Sequence, residues 1–143
     1  MKIKLTLLLA AMSLSFNTYS CGSYPVVYVK YKDGVNIGLF ITPNDMKNSP
    51  NWDVSGNDEP PIGVVQSKKI AIDFVKKKHQ EFDDVRIKNI KLNMADCTNG
   101  ISGWYYLYTI NPVIDGNELW GKGNWIAVLM DGSVIEPREY QAK

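Results

Sequence analysis

The stretch Trp104-Tyr-Tyr-Leu-Tyr-Thr-Ile110 decides the fold. All of it except Leu107 is aromatic or β-branched, the residue types that fit a pleated, packed surface. Alternation puts Trp104, Tyr106, Tyr108 and Ile110 on one face and Tyr105, Leu107 and Thr109 on the other. One face must pack on a helix. The other is either covered by a long loop or open to a partner, since exposed Tyr and Trp favour protein or sugar contacts.

Working towards the C-terminus, Asp115-Gly116 and Asp131-Gly132 are turn pairs. They separate the aromatic strand from Leu119–Met130 and from a short last strand, Ser133–Glu136, which Pro137 ends. Gly121 and Gly123 weaken or bulge the first half of Leu119–Met130. Trp120, beside the turn, is the single aromatic expected to be most exposed.

Working towards the N-terminus, Asp96–Gly103 is a polar loop, and Val85–Met94 is a strand with a phase problem. Val85 and Ile87 share one parity, and Ile90, Leu92 and Met94 share the other. A bulge or bend near Lys88 and Asn89 is therefore expected. Before it, Ile70, Ala71, Phe74, Val75 and Phe82 recur at helical spacing. Ser67 is the expected cap, giving a helix over about residues 67–81. The lysines at 76–78 suit the negative end of its dipole. Residues 43–66 read as a long loop rich in Pro and Gly, pinned to the body by Trp52. Two β-prone runs around Asp33-Gly34 predict a hairpin within 21–42.

The expected fold is α+β. An N-terminal β-hairpin (21–42) and the loop (43–66) precede one main helix on a curved antiparallel sheet (67–137), all in one domain over 21–143. Residues 1–20 differ from the rest. Lys2 and Lys4 precede an apolar run of about twelve residues, too short to span a bilayer core that needs about twenty. This pattern predicts a signal peptide over 1–20, with Thr18 and Ser20 before a cut at Cys21. A lipid anchor at Cys21 is disfavoured, because Tyr19 is bulky where such signals carry a small residue. Cleavage would remove Lys2 and Lys4 and take the formal net charge from +1 to −1. Nothing in that balance attracts nucleic acid or an anionic membrane. With 14 Lys against 2 Arg, bidentate clamps for phosphate are scarce.

The two cysteines, Cys21 and Cys97, read as a disulfide in an oxidising compartment. Localisation is therefore expected to be secreted or periplasmic, in a bacterial envelope.

A catalytic engine is not visible. His79, the one histidine, sits among lysines and reads as an exposed helix residue. One His and two distant Cys do not make a zinc site. Asn51, Asp53, Ser55 and Gly56 mimic the start of a calcium loop, but Ile62 stands where the closing Glu belongs. Adjacent acids at Asp58-Glu59 and Asp83-Asp84 read as solvated. No catalytic residue, metal ligand or cofactor is implied.

The helix Ser67-Lys-Lys-Ile-Ala-Ile-Asp-Phe-Val, the strand Trp104-Tyr-Tyr and the closing Trp125-Ile-Ala-Val-Leu-Met-Asp-Gly-Ser-Val-Ile-Glu-Pro carry a resemblance. Over about residues 67–137 the chain resembles PepSY-like and NTF2-like immunity domains of bacteria, which are cystatin-like in style. The resemblance implies binding or inhibition rather than catalysis. It carries over no site residue.

The leading expectation is a non-catalytic envelope protein that binds another protein, with Trp120, Trp52 and Tyr105 as candidate contacts. One alternative is a module that binds a sugar or peptide in a concavity between helix and sheet, lined by the Trp104 strand. The other is a hydrolase built on carboxylates.

Overall fold

In chain order the elements are β1 (Val27–Lys30), β2 (Asn36–Leu39), α1 (Pro43–Met46), α2 (Val64–Lys78) and β3 (Asp84–Asp96). Then follow β4 (Ser102–Ile114), β5 (Asn117–Glu118), β6 (Trp125–Leu129), β7 (Val134–Ile135) and β8 (Pro137–Tyr140). The structure is a computed structural model that describes residues 21–97, 100–121 and 123–141. The expected signal peptide over 1–20 lies outside the described residues.

The strands form two antiparallel sheets rather than one. The larger has the order β3-β4-β6-β7, with β5 on β4; the smaller has the order β1-β2-β8. The β4 strand is long and central to the larger sheet because both of its sides are apolar. Tyr106, Tyr108 and Ile110 join Ala71 and Val75 of α2, with Ile126, Val128 and Met130, in one core cluster. Tyr105 and Leu107 join Leu39, Ile41, Met46, Ala127 and Leu129 in a second. The layers are thus α2, the larger sheet, and the smaller sheet with α1.

The second cover of β4 is the hairpin together with α1, so only the start of the long loop lies there, through Met46. The middle of the loop is on the α2 side: the Trp52 and Trp104 rings meet edge-on at 5.6 Å, and Trp52 belongs to the α2-side cluster. The hairpin covers the other side, and β8 completes its sheet. Pro137, read as a terminator, opens β8 instead. A proline at the start of an edge strand costs no ladder bond.

The long loop also has more structure than expected. Thr42 and Asp45 form a reciprocal capping box on the single-turn α1. Gly103 lets α1 dock, because a Cβ there would lie 2.7 Å from the Met46 sulfur. Helix α2 begins at Val64, capped by Gly63, and not at Ser67. Ser67 is instead fully buried one turn inside, where its hydroxyl bonds the Val64 carbonyl and the Tyr108 hydroxyl. A polar residue at the buried face of a helix start imitates a cap in sequence. The helix ends at Lys78 because His79 leaves the helical region, at φ −118° and ψ 78°.

The phase problem resolves into a bulge. The register between β3 and β4 shifts between Ile87 and Asn89. Ile87 pairs with Ile110, while Ile90, Leu92 and Met94 pair with Tyr108, Tyr106 and Trp104. Cross-strand partners share a face, so the extra residue at Lys88 returns the second apolar set to the α2 side.

Cys21 and Cys97 form the disulfide expected from their parity. The bond ties the start of the hairpin layer to the end of β3. Among the described residues no helix is long and apolar enough to cross a membrane.

Candidate functional site

Among the described residues the most exposed large aromatic side chain is Trp120, at 76%. It stands in the connection between β5 and β6, two residues past the end of β5 at Glu118. Its base is fixed from both sides. The Leu119 amide donates to the Pro112 carbonyl at 2.7 Å, and the Ile110 amide donates to the Asn124 carbonyl at 2.9 Å. Gly123 takes φ +93°, and a Cβ added there would lie 3.5 Å from the Tyr31 hydroxyl and from Val29 of the hairpin.

Beneath Trp120 lies a polar hub on Glu118. The Asn111 amide donates to its carboxylate at 3.0 Å, Arg86 at 2.7 Å and Lys88 at 3.4 Å. The Asn111 amide, then Arg86 and Lys88, hold the Glu118 carboxyl below its ordinary range. The Lys88 ammonium also sits 4.8 Å from the Trp120 ring centroid. One face of the indole is therefore occupied by a cation and the ring is oriented outward. The bulge makes this possible, because it turns Lys88 out of the ladder towards β5. Sequence reading finds Trp120 but misses the hub: Arg86, Lys88, Asn111 and Glu118 are brought together only by the β3–β4–β5 pairing.

The other two candidate contacts are placed differently. Tyr105 is 3% exposed within the core between the sheets, so its ring offers no surface to a partner. Trp52 is half-buried, and its indole N–H donates to the Asp58 carbonyl at 3.0 Å. It fastens the loop to Trp104. The space between helix and sheet, where a ligand concavity was considered, holds Ala71, Val75, Tyr106 and Tyr108. An open groove of about 300 Å³ lies instead on the outer side of α2, between Val65, Lys68, Lys69, Ile72 and Asp73.

The residues read as chemically suggestive have local roles. His79 stacks on Phe82 with ring centroids 5.0 Å apart, and its Nδ1 lies 3.2 Å from Glu81. Asp53 accepts from the Ser55 amide and hydroxyl, which closes a turn and holds its carboxyl low. Among the described residues no three His, Cys, Asp or Glu side chains are grouped as metal ligands would be. The Cys21 sulfur is bonded to Cys97. Comparison of the chain with protein-family models, with curated proteins and with solved structures finds no match.

Proposed function

We propose that this chain is a small non-catalytic binding protein of the bacterial envelope, secreted or periplasmic, which docks a protein partner as an inhibitor or immunity-type factor does. The observation that carries the reading is Trp120, 76% exposed on an anchored connection with Lys88 against its ring. A large rigid aromatic held out of its own core, with charged groups around its base, is the composition of a binding anchor. The disulfide supports an oxidising compartment. The α+β arrangement of helix on antiparallel sheet is compatible with the PepSY-like or NTF2-like resemblance over 67–137.

The test is capture from the native envelope fraction with a C-terminal tag, followed by affinity measurement on the captured partner for wild type and Trp120→Ala. The expected result is one stoichiometric protein, with affinity reduced roughly thirtyfold by loss of an anchor worth about 2 kcal/mol. Trp120→Ala should keep the wild-type melting temperature, because the ring is outside the core. Equal affinity in the two proteins refutes the Trp120 assignment, and a bare bait refutes the protein-partner reading.

A further inference from the structure

The hub under Trp120 presents donors to solvent and keeps its acceptor to itself. Both oxygens of the Glu118 carboxylate are taken: Arg86 Nη1 donates to Oε1, and Asn111 and Lys88 donate to Oε2. The Glu118 side chain is 15% exposed, against 58% for Arg86 and 40% for Lys88. Two cations therefore share one covered anion, and one positive charge is left over at the surface. Arg86 uses a single nitrogen on Glu118; its Nη2 and Nε find no acceptor among the described residues. The indole N–H of Trp120 finds none either.

The acids around the hub are committed elsewhere. Asp84 is held by Lys76 of α2 at 2.9 Å. Asp83 and Asp115 meet at the β4–β5 turn, which precedes Glu118 along the chain, whereas Trp120 follows it. Lys91, opposite Leu107, lies on the same face of β3 as Arg86, opposite Asn111. It is exposed and forms no ion pair among the described residues, so the positive surplus continues along the strand.

We propose that the Trp120 hub takes a carboxylate: an Asp or Glu side chain from an extended acidic segment of the protein partner, seated on the outer fork of Arg86, with a neighbouring apolar residue on the open face of the indole. The inference rests on the reading of Trp120 as an anchor and adds what that anchor recognises. A surface that offers N–H groups and positive charge, with its own acceptor fully used, is complementary to an anion. A neutral or basic segment would leave those donors unpaired once water is excluded. The guanidinium fork matches a planar carboxylate in two parallel bonds. Arg86 is one of only two arginines beside 14 lysines, and a lysine there would supply charge without the fork. The contacts run in series from indole to Lys88, to Glu118, to Arg86. They keep both anchors within the span of about four extended residues, so one short segment reaches both. Lys88 covers one face of the indole, which leaves the other for the apolar neighbour.

The experiment is selection of a random displayed peptide library on the oxidised full chain, expressed with its own N-terminal segment, and in parallel on Trp120→Ala. Enriched peptides are then synthesised and titrated by fluorescence anisotropy. Peptides that depend on Trp120 are expected to carry an Asp or Glu within a few residues of an aromatic or aliphatic side chain. Changing that acid to its amide should weaken binding about tenfold, and so should Arg86→Gln. The two changes together should cost little more than either alone. Raising NaCl from about 50 mM to about 500 mM should weaken the acidic peptide and leave its amide form nearly unchanged. Circular dichroism and melting temperature check the fold of each variant, and the change within the peptide tests the same contact with the protein untouched. Peptides that need Trp120 but carry no acid overturn the carboxylate and leave the anchor standing. Additive losses overturn the Arg86 contact. Displacement of the peptide by inorganic phosphate but not by acetate, at equal ionic strength, overturns the choice of carboxylate. A selection in which no peptide depends on Trp120 overturns the anchor and this inference together.

Discussion

Reduction of the Cys21–Cys97 bond tests how the layers are held together. The bond joins residues 76 apart, so it closes a loop of just over half the chain. In the chain-entropy model a loop of that length contributes about 4.5 kcal/mol by restricting the unfolded ensemble. The bond connects the hairpin layer to the end of β3, and Cys97 is 4% exposed within the core between the sheets. Reduction leaves both sulfur atoms in that core, so few native contacts are lost. The loss therefore falls on the unfolded state, which becomes more extended.

Two observables follow from this. At about 3–5 °C per kcal/mol for a chain of this size, the melting temperature should drop by on the order of 15 °C in saturating reductant. The denaturant slope m should rise, because the reduced chain exposes more surface on unfolding. Far-ultraviolet circular dichroism at room temperature should stay native. Equal melting temperatures with and without reductant would refute the bond. A large drop with an unchanged or smaller m would refute its assignment to the unfolded state, and would instead mean that the hairpin layer detaches on reduction.

Two further tests concern polar groups. Ser67 and Tyr108 are both fully buried and bond through their hydroxyls. Ser67→Ala should cost about 1–3 kcal/mol in urea melts by stranding the phenol, while Ser67→Ala with Tyr108→Phe should cost less than the two single changes summed. Additive losses would show that the hydroxyls do not depend on each other. At Glu118 the carboxyl is held below its unfolded value of about 4.5 by Asn111, Arg86 and Lys88. Its contribution is therefore complete above that value and is lost as pH falls through the lower folded value. Wild type and Glu118→Gln should thus differ most in stability near neutral pH and converge only once the pH has fallen below the lowered folded value, as followed by thermal melts. A gap that is constant with pH would mean that the carboxylate charge is not what holds the hub.

How much of this was legible in the sequence depends on whether the signal was local. The hairpin turn at Asp33-Gly34 is written in adjacent residues, and the structure has it: Gly34 takes φ +87° and Asp33 accepts from the Val35 amide. The bulge near Lys88 was legible as a parity conflict, which only an inserted residue resolves. Even its consequence follows from parity, because one extra residue puts Ile90, Leu92 and Met94 on the face of Val85 and Ile87. What sequence could not supply is what stands opposite a face. Alternation shows that both sides of β4 are apolar, but a loop, a helix or a hairpin would each satisfy it. The hairpin was chosen by β8, and β8 is hidden by Pro137.

The same limit decides the surface. The apolar stripe of β3 has the pattern of a core strand, and its exposure follows only from where α2 stops. Trp120 was distinguishable because its neighbours Glu118, Gly121 and Gly123 break every period that could bury it. Trp52 and Tyr105 have neighbours equally consistent with exposure, and burial at those positions is a property of distant partners, Trp104 for one and Leu39 and Leu129 for the other. Lys88 ties the legible feature to the illegible one: the bulge that parity announces is what frees its side chain from the ladder for Glu118 and the Trp120 ring, while the residues that meet it there come from β5 and from the connection beyond it.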